Sequence, residues 1–327
     1  MKFLVIRFSS IGDIVLTTPV LRCLKKTYPD AQVHYLTKKV FHPLLAGNPY
    51  IDEFHLIDHK LAEVLPALKE QKFDYIIDLH KNLRSLRTIY SLDAKTISFD
   101  KINMEKWLKV NLKVDMLPQK HIVDRYFDAL EEIGVTNDGQ GLDYYLWNSE
   151  IYSGREPALM TYIAFVIGAT HNTKKLPEDR ILAICEGITG KVVLLGGKAE
   201  ASLGDRINQA LPAKVVNMAG KLNINESANM VKYARKIITH DTGLMHIAAA
   251  YQKPIISIWG NTIPDFGMYP YFGEKNKNVE ERSHRMEVKT LPCRPCSKLG
   301  YTKCPRGHFL CMEDQDIQRV VTIANEI

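Results

Sequence analysis

Apolar and polar positions along this chain switch between two periods, and the switching repeats. Apolar runs of strand length stand at 3–8, 32–37, 53–57, 73–79 and 95–99. Between them apolar residues recur at helical spacing: Ile14, Thr17, Leu21 and Leu24 first, then residues 61–71, 82–90 and, with a clear amphipathic stripe, 122–133. The first helical stretch stops at Lys25-Lys26 and Tyr28-Pro29, cations in a last turn followed by proline. Pro19 lies inside it and either kinks the helix or sits in its first turn. From Gly134 to about Pro157 no period is visible, and Gly, Asn, Asp and Ser are frequent. The pattern then restarts, with strands over 162–167, 191–195, 214–217, 236–239 and 254–259 and helices over 178–187, 199–210, 224–234 and from Asp241 onward. Ile317, Val320, Val321 and Ala324 mark a last helix. Alternation of this kind predicts parallel α/β sheets. Its interruption divides the chain into a unit over 1–150, a second over 151–311 and a terminal helix over 312–327, with no sequence repetition between the units.

Composition narrows the classes. Residues of charged type make up 24% and hydrophobic ones 46% of the 327, an ordinary globular balance. A formal net charge of +6 suits an acidic substrate or an anionic membrane surface without requiring nucleic acid. No apolar run reaches the roughly 18–20 residues that span a bilayer, and the opening residues Met1–Arg7 read as a strand rather than a leader. A cytoplasmic protein with reduced thiols is expected.

The candidate chemistry gathers at helix mouths. The stretch His240-Asp241-Thr242-Gly243-Leu244-Met245-His246 leaves a buried strand and opens a helix. Asp241 or Thr242 can cap it, and Gly243 lets a ligand approach the backbone. Leu244, Ile247, Ala248 and Tyr251 form its expected buried stripe, leaving His246 off the stripe and directed at the mouth, where free N–H groups and the positive dipole end suit a phosphate. A plain capped helix with a surface histidine is the alternative. The first strand–helix turn, Ser9-Ser10-Ile11-Gly12-Asp13, lacks the glycine pattern of a dinucleotide site. Asp13 is either a helix cap or a general base for a substrate hydroxyl. The loop Gly168–Pro177 offers the hydroxyls of Thr170 and Thr173 and the point charge of Lys174 to a phosphate, or is a solvated basic loop. Glu226 either caps a helix or grips sugar hydroxyls. Cys23 and Cys185 are isolated. Cys293-x2-Cys296-x7-Cys304-x6-Cys311 admits structural zinc, or else unliganded or occasionally disulfide-bonded thiols, in a proline-rich loop.

Taken together, these motifs resemble the heptosyltransferases, family nine of the glycosyltransferases. The opening strand with Ser-x-Gly-Asp and the following Thr-Pro-x-Leu, the segment Asp78-Leu79-His80-Lys81-Asn82-Leu83-Arg84-Ser85, the loop Thr170–Pro177 with Leu176 in place of a tryptophan, Gly220–Glu226, and Asp241-Thr242-Gly243-x-x-His246-x-Ala248-Ala249 follow that family's order. The departure is largest over Asp100–Val114.

The resemblance implies a GT-B architecture, two Rossmann-like parallel-sheet domains facing across a cleft. It implies an inverting transfer of a heptose or related sugar from an ADP-sugar, ADP-heptose above all, to a lipopolysaccharide core or related lipid-linked oligosaccharide, with no cofactor or catalytic metal required. Asp13 then takes the base position and Lys174 assists the leaving group. Thr170, Thr173, Glu226, Asp241, Thr242, Gly243 and His246 fall on the donor side, and Ser10, Gly12, Asn82 and Arg84 on the acceptor side. Peripheral contact with the inner face of the cytoplasmic membrane fits such an acceptor, and by analogy the last helix crosses back to the first domain. Two competing readings remain: a nucleotide-sugar epimerase of the same architecture, which forms product without an acceptor, and a zinc-stapled binding module, which calls for a clustered basic face where the sequence spreads Lys and Arg throughout.

Overall fold

Strand β1 (Lys2–Ile6) sits at the centre of the first sheet, and both its faces are buried. Phe3 and Val5 point to one apolar cluster, Leu4 and Ile6 to another, as a parallel strand covered on both sides requires. The described structure, a computed structural model, covers residues 1–147 and 161–326. Around β1 stand β2 (Gln32–Lys38), β3 (Glu53–Ile57), β4 (Tyr75–Asp78) and β5 (Lys95–Ser98) in the order β3-β2-β1-β4-β5, every pairing parallel. The helices of this lobe are α1 (Ile11–Val15), α2 (Thr18–Thr27), α3 (Leu65–Gln71), α4 (Leu83–Tyr90), α5 (Asn103–Asn111) and α6 (Ile122–Leu130). Pro19 takes the first-turn alternative: the chain breaks after α1, and α2 restarts with proline in its opening turn, where a missing N–H costs nothing.

The second sheet is formed by β6 (Tyr162–Val166), β7 (Lys191–Leu195), β8 (Val215–Asn217), β9 (Lys236–His240), β10 (Ile255–Trp259) and β11 (His284–Glu287), ordered β11-β10-β9-β6-β7-β8 and again parallel. Its helices are α7 (Glu178–Gly187), α8 (Ala201–Ala210), α9 (Ile224–Tyr233), α10 (Gly243–Ala250), α11 (Lys277–Glu281), α12 (Leu310–Glu313) and α13 (Ile317–Asn325). The boundary expected at 150/151 lies outside the described residues.

One apolar cluster runs from Phe3 and Val5 through Ile14, Val15 and Met245 to Ala164 and Val166, so the lobes share core across α1 and α10. Two crossings tie them further. The segment after β10 reaches back to α6: Ile122 N–H donates to Gly267 O (2.9 Å), Arg125 donates to Phe266 O (3.4 Å), and Tyr271 Oη donates to Asp124 Oδ1 (2.6 Å). The segment before the undescribed residues packs on the first lobe, where Asp138 and Asp143 both bind the buried Arg22 guanidinium of α2.

The final helix corrects the expectation of a return to the first lobe. Its stripe of Ile317, Val320, Ile323 and Ala324 is buried with Ile181, Ile184 and Cys185 of α7 in the second-lobe cluster. Asn325 accepts from Thr189 N–H (2.7 Å) and donates to Gly187 O (3.0 Å). The apolar stripe is spent on its own lobe, and the return crossing falls to the segment after β10.

Candidate active site

The site begins where β1 ends. Arg7 follows the strand and is buried. Its Nε donates to Ser9 O (2.9 Å), another N–H reaches Leu79 O, and Nη2 lies 2.6 Å from Asp13 Oδ1. Asp13 is the third residue of α1, and its Oδ2 accepts from Ser10 N–H (3.1 Å) and Ser10 Oγ (2.7 Å). Asp13 therefore closes a capping box, as the cap reading had it, yet Oδ1 faces Arg7 and the side chain lines a cleft. Burial alone would raise its pKa. The Arg7 charge and the Ser10 hydrogen bonds outweigh burial and hold the carboxyl below its ordinary value. Asp13 is thus an anion at neutral pH, locked in place by a cation and two donors.

Directly opposite stands the mouth of α10. A Cβ built on Gly12 would meet His246 Cδ2 at 2.5 Å, and one on Gly243 would meet Ile11 Cγ2 at 2.5 Å. The two glycines are what allow the helix starts of the two lobes to touch. Thr242 is the N-cap of α10 without a side-chain capping bond, so the first N–H groups of the helix open on the cleft. His246 is not off the buried surface as the sequence stripe suggested. α10 is buried nearly all round, and the His246 ring packs under Gly12. Burial lowers its pKa to about 4, so it is neutral, and Nδ1 has no partner among the described residues.

Lys174 Nζ lies 2.5 Å from Asp241 Oδ2, which also accepts from Thr262 Oγ1 (3.0 Å). Asp241 holds the ammonium at the same mouth. The cysteine-rich loop braces this side: Arg294 donates to Gly260 O (2.6 Å) and Thr262 O (3.0 Å) and pairs with Glu287 (3.1 Å). Tyr301 N–H donates to Thr173 Oγ1 (2.8 Å).

A cleft of about 370 Å³ between the lobes brings together Ser10, Gly12 and Asp13 from the first and Thr170, Lys174, Asp241, Thr242, Gly243 and His246 from the second. Four expected residues do not line it. Thr173 is buried and spent on Tyr301. Glu226 closes a capping box on α9, accepting from Asn223 N–H (2.7 Å), which is its bland alternative. Asn82 caps α4, and Arg84 lies over the Phe8 ring at 5.5 Å. These two line an adjoining groove that shares Ser9 and His80 with the cleft.

Sequence reasoning assigned no role to Arg7, His80, Lys106, Thr262 or Lys298, all of which line the cleft. Burial and the Arg7 charge push His80 down to about 3. Burial beside Arg125 and Lys298 lowers Lys106 to about 8. Arg7, His80 and Thr262 each follow a strand's carboxyl end, so the rule that open α/β sheets bind ligands at that edge was the signal that could have found them.

The four C-terminal cysteines form no disulfide, and they lie near one another: the charge of Cys293, Cys296 and Cys304 acts on Cys311, and Cys293 Sγ stands 3.8 Å from His308 Nε2. Burial, and after it the neighbouring Cys296, Cys304 and Cys293, pushes the Cys311 thiol up to about 12, and burial with Cys293 and Cys304 raises Cys296 as well. On β2 and β3, in another part of the molecule, His34, Glu53 and His55 bring three candidate metal-ligand atoms within 4.8 Å of one another. There the two rings stack, and His34 Nδ1 and His55 Nε2 hydrogen-bond at 3.0 Å.

Comparison with known proteins agrees with this geometry. The pattern that defines glycosyltransferase family 9 (heptosyltransferase) matches residues 61–295. The lipooligosaccharide heptosyltransferase 2 of Haemophilus influenzae is 27% identical, the match covering 81% of this chain and 85% of that one. Among solved structures, the E. coli ADP-heptose LPS heptosyltransferase II superposes with a TM-score of 0.73 at 21% identity, over 99% of this chain and 97% of that one. An E. coli heptosyltransferase bound to ADP gives 0.66 at 20% identity, over 87% and 92%. The fold is thus GT-B, two parallel-sheet lobes across a cleft, and the chain belongs to glycosyltransferase family 9, the heptosyltransferases.

Proposed function

We propose that this glycosyltransferase moves a heptose from ADP-heptose to a saccharide acceptor of the lipopolysaccharide core, inverting the anomeric carbon. The observation that carries the reading is the meeting of an anchored carboxylate, Asp13, with a cationic helix mouth, Lys174 and α10, in one cleft.

The chemistry runs as follows. The acceptor hydroxyl oxygen bonds to the anomeric carbon from the face opposite the diphosphate. As that bond forms, the hydroxyl proton becomes acidic and passes to Asp13. A base of low pKa suffices there, because the attacking oxygen carries positive charge late in the step. The bond from the anomeric carbon to the diphosphate oxygen breaks, and ADP departs with the electron pair. Lys174 and the open N–H groups of α10 stabilise that charge. Arg7 and Ser10 keep the carboxylate aimed, which reduces the orientation cost of the step.

Membership of a transferase family favours transfer over the epimerase alternative. The braced cysteine loop supports a role in shaping the donor pocket. A lipid-linked acceptor is consistent with work at a membrane surface, and no helix among the described residues is long and apolar enough to cross a membrane.

Thermal unfolding with a nucleotide panel tests the reading. Ligand at a hundredfold excess over Kd adds about 2.7 kcal/mol to the native state. ADP and ADP-heptose are expected to raise Tm while UDP and NAD leave it unchanged. Stabilisation by UDP alone, or sugar turnover without any acceptor, contradicts it.

A further inference from the structure

An α-helix on a soluble surface normally buries one face, yet no residue of α5 is buried. Its inner side makes modest contacts: Val110 packs with Ile102, Leu117, Ile263 and Phe266, and the Lys106 ammonium lies 5.9 Å from the Phe266 ring centre. Its outer side carries Met104 (66% exposed) and Trp107 (52%), and the chain continues with Leu112 (57%) and Met116 (62%) in solvent. Large apolar residues clustered on one free surface mark an interaction site. α4, on the adjacent strand connection, does the same with Leu83 (78%) and Tyr90 (82%). The two helix starts are tied together, since Lys101 Nζ donates to Lys81 O (3.0 Å) and Lys81 Nζ to Phe99 O (2.9 Å).

Charge completes the pattern. Between residues 79 and 120 there are nine Lys or Arg and four Asp or Glu, a surplus of five, while the whole chain carries +6. Lys and Arg thus outnumber Asp and Glu about two to one along the stretch that also exposes Trp, Tyr, Met and Leu. Basic residues among apolar and aromatic ones are the composition of a protein face that lies in the headgroup region of an anionic bilayer. The position fits as well. Lys106 of α5 and His80, just before α4, both line the catalytic cleft, and the groove holding Leu83 and Arg84 opens beside it.

We infer that the exposed faces of α4 and α5, with residues 112–116, form a docking surface for an anionic phospholipid bilayer, presenting the cleft mouth to the membrane. The inference rests on the reading that the acceptor is lipid-linked. It names the surface through which that acceptor is reached. Salt and lipid charge both control the contact, because exposed cations are screened within about a Debye length.

Flotation with vesicles of phosphatidylcholine, with and without about one third phosphatidylglycerol, tests it. Wild type is expected to float with the anionic vesicles, to stay behind with the neutral ones, and to be released at high salt. The double variants Met104→Ser/Trp107→Ser and Arg87→Glu/Lys109→Glu are each expected to lower the bound fraction about tenfold or more. All four positions are outside the cleft lining, so Tm and its rise with ADP should match wild type, which separates lost docking from misfolding. Equal flotation of wild type and both variants overturns the proposal. So does salt-insensitive binding to neutral vesicles, tight binding of nucleic acid in place of vesicles, or a dimer in solution that Trp107→Ser dissolves. Vesicle binding is read without any sugar donor. Failure of ADP to stabilise wild type would therefore sink the transfer reading and leave the flotation result standing.

Discussion

Arg7 decides what Asp13 can do. Burial raises the carboxyl pKa, and only the neighbouring guanidinium and Ser10 bring it below the ordinary range. In wild type the base stays ionised as pH falls from 7 to 5, so turnover should show no Asp13-linked loss in that window. In Arg7→Gln burial wins, the carboxyl takes up a proton at higher pH, and the acid limb of kcat should rise by more than about one pH unit. An unchanged pH profile would remove Arg7 from this role. Buried histidines set a second pH dependence. Burial lowers His240 and His246 to about 4 in the fold, against an ordinary 6.5. Their folded pKa values are depressed, so below pH 6.5 the unfolded chain takes up protons that the fold refuses. Stability is complete above pH 6.5 and falls as pH drops toward 4, by about 2 kcal/mol per histidine at pH 5. Denaturant unfolding at pH 7 and pH 5 measures it, and His246→Gln should lessen the difference. Asp13, Lys174, Thr242 and Gly243 were legible in the sequence because each is a polar or small residue punctuating an apolar pattern at a helix mouth. Arg7 was not, because it directly adjoins a strand, and nothing local says that its charge turns inward to Asp13.

Elements were legible where burial drives them. β1, β6 and β9 are apolar on both faces, and the pattern marks them. α5 and β11 were missed for the opposite reason. α5 turns its apolar side outward and rests on a cation over an aromatic ring, and β11 is an edge strand with one buried residue, Met286. The final helix was legible as a helix and misplaced as a packing partner, since a stripe of Ile and Val states that something covers it and not what. Its docking has a direct test. A Cβ on Gly187 of α7 would meet both Val321 methyl groups at 2.7 Å. The β-branched side chain cannot swing away. Gly187→Ala should destabilise by about 1 kcal/mol, the strain of overpacking exceeding the gain in helix propensity, with kcat unchanged. Neutral or raised stability would place α13 elsewhere.

At the scale of the molecule, two lobes share one core and meet through Gly12 and Gly243, where side chains larger than hydrogen do not fit. The alternation of strands and helices announced the two units. It could not announce which chain segments tie them, because the ties after β10 and around Arg22 are hydrogen bonds between residues more than a hundred positions apart. Nor could cysteine spacing show that the loop 293–311 braces the pocket through Arg294 and Tyr301. The central claim is that closure of this architecture sets the Asp13 carboxylate of one lobe against the diphosphate mouth of the other. The most direct measurement is steady-state turnover beside ADP-dependent thermal stabilisation for Asp13→Asn and Lys174→Ala. The account predicts that Asp13→Asn loses about 10²–10⁴-fold in kcat and keeps the full ADP stabilisation, while Lys174→Ala loses much of that stabilisation. Turnover of Asp13→Asn within a few-fold of wild type, or undiminished ADP stabilisation in Lys174→Ala, would contradict it.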